Sequence, residues 1–440
     1  MTNAVATGAP AAPAARPGGA PMPGGMTPAA NSIRLAAEHF AASIVYLLAG
    51  AIGLIWIAPE LAIGAYPSPH VAGITHLFTL GWITTTIFGA LAQLLPVALG
   101  APIRSTRVGH LSFFTFAPGV GFFAAGIASS TLALQHTGIG LITVGIVLEI
   151  GNLAASLPQA KSRDVTWGAI VIAISYLAST LVLGVILLHN LHSGFIANAR
   201  LVALATHLHV ALVGWVLVMI VGVSHRLLPM FLLAHGADVR WTKRALTFLA
   251  IGVLALATGL IARIAPAVWL GTALIDCGVA CFIWQAWSFY KVRVRRKIDV
   301  GMRFAMTAIC FIAIAAVLGT SLVIAGPMHA RLATMYIVVG LLGGIVLYVS
   351  GFFYKIVPLL AWTARFRGRM GKGPVPTVAQ LYSARVAYCQ LGVMTVAVLL
   401  LAGGIGAGAA HVTRCGAVLF TLGVVLFMSQ IARVAFGGGS

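Results

Sequence analysis

Three histidines are placed where chemistry is the first explanation to consider. His76 opens the apolar stretch HLFTLGWITTTIFGALAQLLP, His209 opens HVALVGWVLVMIVGVSHRLLP, and His207 lies two residues before His209. A polar imidazole in so apolar a segment is costly and is a functional hypothesis by default. At 3.6 residues per turn, positions two apart point about 200° away from each other, so His207 and His209 leave opposite faces of one helix and cannot readily share one metal. His76 and His209 fill the same slot of a repeated pattern and so sit at similar depth. Two neutral imidazoles facing each other across a gap between helices suit the axial positions of a haem iron, a bis-His low-spin site. On the other face, His207 would be the lone proximal ligand of a second haem, whose iron keeps a position open for a small gas.

The elements that position these rings follow from composition. The chain has 440 residues, of which 60% are hydrophobic and only 8% charged, with a mean hydropathy of +1.03. A soluble domain carries about 25% charged residues, so this chain cannot cover a water-facing surface, and a soluble enzyme is excluded. The formal net charge of +20 would ordinarily raise nucleic acid as a partner. Without a surface to present that charge, no nucleic-acid partner is expected, and the cations mark the loops of a membrane protein in a lipid bilayer. Five cysteines without a CxxC pair exclude a disulfide scaffold and a thiolate zinc site, leaving Cys277 and Cys281 as small core residues.

Segments of roughly 20 apolar residues, the length a spanning helix needs, tile the chain after its first thirty positions. Twelve are read, at 34–58, 72–100, 109–128, 132–157, 166–188, 201–233, 244–264, 267–290, 303–326, 329–361, 381–408 and 411–434. The second, sixth and tenth are long enough to tilt or to project beyond the bilayer. Lys and Arg gather after the even-numbered spans, at Arg104 and Arg107, Lys161 and Arg163, Arg240, Lys243 and Arg244, Lys291 to Lys297, and Arg365 to Lys372. By the positive-inside rule those loops and both termini are cytoplasmic, which reads as a multi-pass protein of a bacterial inner membrane. Residues 1–33, rich in Ala, Pro and Gly, lack the pattern of a cleaved signal and read as a disordered cytoplasmic tail.

A repeat organises the spans. The His76 and His209 segments match at His, at Gly-Trp five positions on, and at a Gly seven positions before a Leu-Leu-Pro ending. The tenth span keeps the frame, with Gly343, Gly351 and Pro358 matching Gly81, Gly89, Pro96 and Gly214, Gly222, Pro229. There Val338 stands in the slot of His209 and Tyr336 in that of His207. The fold class is therefore an all-α integral membrane protein, a single domain over 34–440. Its twelve helices form three four-helix repeats, 34–157, 166–290 and 303–434, around a pseudo-threefold axis. Small residues permit close helix contacts in lipid, so the glycine frame alone has an architectural explanation.

THLHVALVGWVLVMIVGVSHRLLPMF, residues 206–231, resembles the helix of haem-copper oxidase subunit I that carries two haem ligands in a His-x-His pair. The likeness is closest to the C-family oxidases and nitric oxide reductases, and THLFTLGWITTTIFGALAQLLP resembles that family's second helix. The resemblance implies that His76 and His209 hold a low-spin haem iron and His207 the iron of a second haem, one or two haems in all, b-type. It also implies respiratory electron transfer, with O2 or NO bound or reduced at the second haem. The donor would be a separate cytochrome c, cupredoxin or quinol-oxidising subunit, since no covalent c-type attachment motif occurs. Two departures stand out. The His-x-His helix is the sixth span where the family has the tenth, and no His-His dipeptide occurs, so the usual copper centre is not expected.

The remaining polar residues carry weaker expectations. His70, His189, His192, His329 and His411 fall near non-cytoplasmic helix ends, where polar residues are ordinary. His225 lies roughly 27 Å along the helix from His207, too far to share its metal. His39, His110, His136 and His235 have no ligand-like context. Glu38, Glu149 and Asp276 fall within spans, where acids belong to proton paths or are held neutral by local hydrogen bonds. Arg200, Arg263 and Arg331 are candidates to pair with haem propionates. The alternatives to a redox enzyme are a twelve-span transporter with a midplane site and a non-catalytic haem or gas-sensing membrane protein.

Overall fold

A computed structural model describes residues 30–437, apart from 197, 198, 235, 237, 295, 296, 327 and 328. Of the expected tail, residues 1–29 lie outside the described residues, as do His235, Arg295 and Arg296. Residues 30–33 already belong to the first helix, which begins at Ala30.

Among the described residues twelve helices are long and apolar enough to cross a membrane, making this a multi-pass membrane protein. They are α1 (Ser32–Ala62), α2 (Pro69–Leu99), α3 (Thr106–Ala128), α4 (Leu132–Gln159), α5 (Val165–Ser193) and α6 (Arg200–Leu232). The second half comprises α7 (Arg240–Ala262), α8 (Ala265–Lys291), α9 (Val300–Ala325), α10 (Ala330–Arg369), α11 (Ala384–Ala407) and α12 (Ala410–Phe436). No strand occurs among the described residues. Side-chain oxygens cap several helix starts, where the first backbone N–H groups lack helical partners. Ser68 accepts from Val71 N at 3.1 Å, and Asp164 accepts from Thr166 N at 2.9 Å. α10 runs on to Arg369, well past residue 361 where the apolar run ends. Charge there ends the hydrophobic stretch but not the helix, and Arg365 and Arg367 ride on its extension.

The helices divide by burial. The most apolar windows of α2, α6 and α10 are 72%, 61% and 72% buried, against 50% or less for the other nine. The three long helices therefore form the core, and the others ring them with lipid-facing sides. Each repeat packs its first helix on its second and folds its third and fourth into a close hairpin. The ring closes where α12 meets α1, with Thr421 Oγ1 donating to Ala51 O at 2.8 Å.

The repeat extends to backbone geometry. In each long helix one wide π-helical segment follows the histidine slot, at Leu77–Thr84, Val210–Leu217 and Val339–Val346. Such segments are rare and concentrate at functional sites. The frame glycines inside them admit a neighbouring ring. A β-carbon at Gly81, Gly214 or Gly343 would lie 2.6, 2.6 or 2.7 Å from the ring of Tyr46 on α1, Tyr176 on α5 or Phe311 on α9, respectively. The shared glycines are thus places where one aromatic ring per repeat locks the outer helix onto the core.

Candidate functional site

His76 and His207 share one cavity. It lies between α2 and α6, walled by α4 and α5, and has a volume of about 200 Å³. Its wall is mostly apolar, with polar members that include Tyr66, Thr84, Thr180, Arg200 and Trp215. The tautomer of His76 follows from its setting. Nδ1 lies 2.7 Å from Ala72 O, a carbonyl that can only accept, so Nδ1 carries the proton and Nε2 keeps its lone pair. That is the arrangement in which an imidazole ligates a metal. His207 packs against α5 and shares the cavity wall with Thr180. Gly184 gives it room, since a β-carbon there would lie 3.3 Å from His207 Cε1. Nδ1 of His207 is buried without a hydrogen-bond partner among the described residues, an orphan that asks for a ligand.

His209 faces the next gap, between α6 and α10, in a second cavity of about 130 Å³. Its Nδ1 lies 2.8 Å from Ala205 O, repeating the His76 arrangement. Its Nε2 accepts from the Tyr336 hydroxyl at 3.1 Å, with the two rings near parallel at 25° and their centroids 5.8 Å apart. At the third gap the corresponding slots hold Val338 and Ile74, both buried and apolar.

The structure therefore brings His76 together with His207, and not with His209. The expectation that equal repeat slots face each other neglects rotation. A threefold axis turns every slot in the same sense, so each one faces the helix of the following repeat. It is met there by the residue two positions before that helix's own slot, on the opposite face. His76 thus meets His207, and His209 meets Tyr336. The inference that His207 and His209 serve separate sites follows from the same helical twist and matches their two cavities.

Tyr66, in the loop between α1 and α2, lines both cavities. Burial pushes its phenol above the usual range, so it stays a neutral donor at physiological pH. Arg200 lines the first cavity and reaches Pro67 O at 3.5 Å. Arg263 instead ends α7 in a left-handed conformation, and the Arg331 guanidinium lies beside Gly408. Trp215 braces the first cavity by donating to Thr84 Oγ1 on α2 at 3.1 Å.

The acids are dispersed. Glu38 accepts from Arg34 at 2.9 Å and lies 2.6 Å from His110 Nδ1, so His110 has an ionic context that its sequence neighbourhood hides. Glu149 is buried beside Ser112, and Asp276 accepts from Thr320 Oγ1 at 2.5 Å. His70 pairs with Glu60 at 2.7 Å, and His192 lies 2.7 Å from Gln135 Oε1. Among the described residues no three His, Cys, Asp or Glu side chains converge as metal ligands would. A scan against protein-family models and a search of curated proteins return no match to this chain.

Proposed function

We propose that this protein is a haem-binding redox protein of a bacterial inner membrane, with both termini cytoplasmic, and that the cavity between α2 and α6 is its haem site. The observation that carries the reading is the convergence of His76 and His207 on one apolar cavity, one with a tautomer that frees Nε2 and the other with a buried orphan nitrogen. The donor set suits a haem better than a bare ion. A porphyrin brings four nitrogens of its own and asks the protein for only one or two, whereas a structural zinc or copper site asks for three or four side chains.

In this reading His76 and His207 would hold the haem within a mostly apolar wall. Ala72 O fixes the proton and ring plane of His76, while Gly184 gives the His207 ring its seat against α5. Arg200 offers a cation to a propionate. The bound haem would supply one-electron transfer, or a seat for O2 or NO if only one of the two imidazoles held it. His209, held by Tyr336, belongs to a different gap and would ligate only if Tyr336 gave way. A membrane-soluble quinol or a separate cytochrome c or cupredoxin would be the electron donor.

Visible spectra of the purified full chain, oxidised and reduced, with and without carbon monoxide, test the reading. Soret absorbance that falls in His76→Ala and in His207→Ala is the expected result. A colourless preparation from haem-replete cells overturns it.

A further inference from the structure

At the basic-loop end of the α7–α8 hairpin, aromatic rings and cations interleave. Gln285 ties the two helices together there, accepting from Thr242 N at 3.0 Å and donating to Asp238 O at 2.7 Å. On that frame the Trp241 and Trp284 rings lie 6.1 Å apart, and the Arg244 guanidinium stacks 4.5 Å from the Trp241 centroid. A turn further along, Trp287 stacks on Tyr290 at 5.3 Å. The Lys291 ammonium lies 5.5 Å from the Trp287 ring, and the Arg293 guanidinium 3.8 Å from the Tyr290 ring.

Three features show that this cluster is unfinished as it stands. Trp284 and Trp287 are 53% and 45% exposed. Lys243, Arg244 and Lys291 are exposed too, and no acid pairs with them among the described residues. Arg293 Nε is buried without a hydrogen-bond partner.

The fold does not demand the cluster, because the other repeats lack it. Close-approach glycines align the three hairpins, Gly126, Gly138 and Gly145 with Gly259, Gly271 and Gly278 and with Gly404, Gly416 and Gly423. In that alignment the slots of Trp241, Trp284, Trp287 and Lys291 hold Val108, Gly151, Ala154 and Pro158 in the first hairpin. In the third they hold Val386, Ser429, Ala432 and Phe436. Three indoles and their stacked cations have been placed on the second hairpin alone.

We infer that this end of the α7–α8 hairpin binds the headgroup of an anionic phospholipid from the surrounding bilayer. Indoles settle at headgroup level, where one edge is wet and one face apolar. Stacking fixes the Arg244 guanidinium plane on Trp241, and among the described residues no acceptor takes up its N–H groups, which leaves them to grip phosphate oxygens. The exposed faces of Trp284 and Trp287 then lie along the first methylenes of an acyl chain. A soluble acidic protein would satisfy the cations but not two half-exposed indoles on a lipid-facing wall. The inference does not depend on the haem reading.

The test uses the purified full chain in nanodiscs of phosphatidylcholine doped with phosphatidylglycerol or cardiolipin, with retained lipid read by native mass spectrometry. Wild type retains the anionic lipid in preference to phosphatidylcholine. Arg244→Gln with Lys291→Gln weakens retention roughly fivefold for each cation lost, and Arg244→Lys restores part of it. Arg104→Gln with Arg107→Gln, on a basic loop without the ring cluster, leaves retention unchanged, and both pairs keep the wild-type melting temperature. Equal losses in both pairs would show bulk electrostatics and overturn the site. Displacement by inorganic phosphate would reveal a free-anion site, and retention of an acidic protein in place of lipid would identify a different partner. Either of those results overturns it too.

Discussion

Tyr336 donates its hydroxyl proton to Nε2 of His209 across the gap between α6 and α10, at 3.1 Å. The bond closes the second cavity's histidine with a partner of its own and separates its behaviour from that of His207, two residues earlier on the same helix. Tyr336→Phe keeps the ring and removes the donor, leaving His209 Nε2 unsatisfied in a mostly apolar cavity. The expected cost is about 1–2 kcal/mol, seen as a lower melting temperature in detergent. Haem absorbance assigned to the first cavity should be unchanged. A fall in absorbance with no change in melting would instead make Tyr336 part of the haem site.

The three histidines should separate in an alanine scan. His76→Ala and His207→Ala each remove a residue of the first cavity and should each lower Soret absorbance severalfold, whereas His209→Ala should spare it. A scan in which His76 and His209 matter and His207 does not would restore the pairing expected from equal repeat slots.

The long helices, the twelve spans and the threefold pattern were legible in the sequence because they depend on hydropathy and spacing, which are local. Which histidine meets which was not, because facing depends on how a symmetry axis turns identical slots. His76 and His209 look like a pair when the segments are aligned, yet alignment superposes residues that rotation keeps apart. Tyr336 was visible only as the residue in the slot of His207, and its hydrogen bond to His209 is a tertiary fact. Side and charge group Arg200 with Arg263 and Arg331, yet of the three it is Arg200 that lines the first cavity.

The frame glycines should behave as contact points. A β-carbon at Gly81 would stand 2.5 Å from the Tyr46 side chain, far inside van der Waals contact, so Gly81→Ala must push α1 off α2 or move the ring. Overpacking of this kind costs about 1–3 kcal/mol. Adding Tyr46→Gly should recover much of that loss, because the nearest atoms are Tyr46 Cβ and Cγ and both are then gone, although the hydrogen bond from Tyr46 to Ala117 O is lost as well. Melting temperatures of the two single variants and the double variant give the coupling. Additive losses would show that the two residues do not interact.

Trp82 and Trp215 occupy the same slot in their repeats but differ in what they hold. Trp215 Nε1 donates to Thr84 Oγ1 at 3.1 Å, joining α6 to α2 beside the first cavity. Trp82 Nε1 is buried with no partner among the described residues. Thr84→Val preserves shape and removes the acceptor, orphaning the buried indole of Trp215 at a cost of about 1–3 kcal/mol. Since Trp215 also walls the first cavity, the same variant should shift the Soret band if a haem sits there. Trp82→Phe discards an N–H that is already unsatisfied, so its cost is confined to lost ring contacts with Phe353 and Phe427. Thr84→Val therefore should alter both stability and spectrum, while Trp82→Phe should alter stability alone. The reverse pattern would move the ligand site away from the α2–α6 gap.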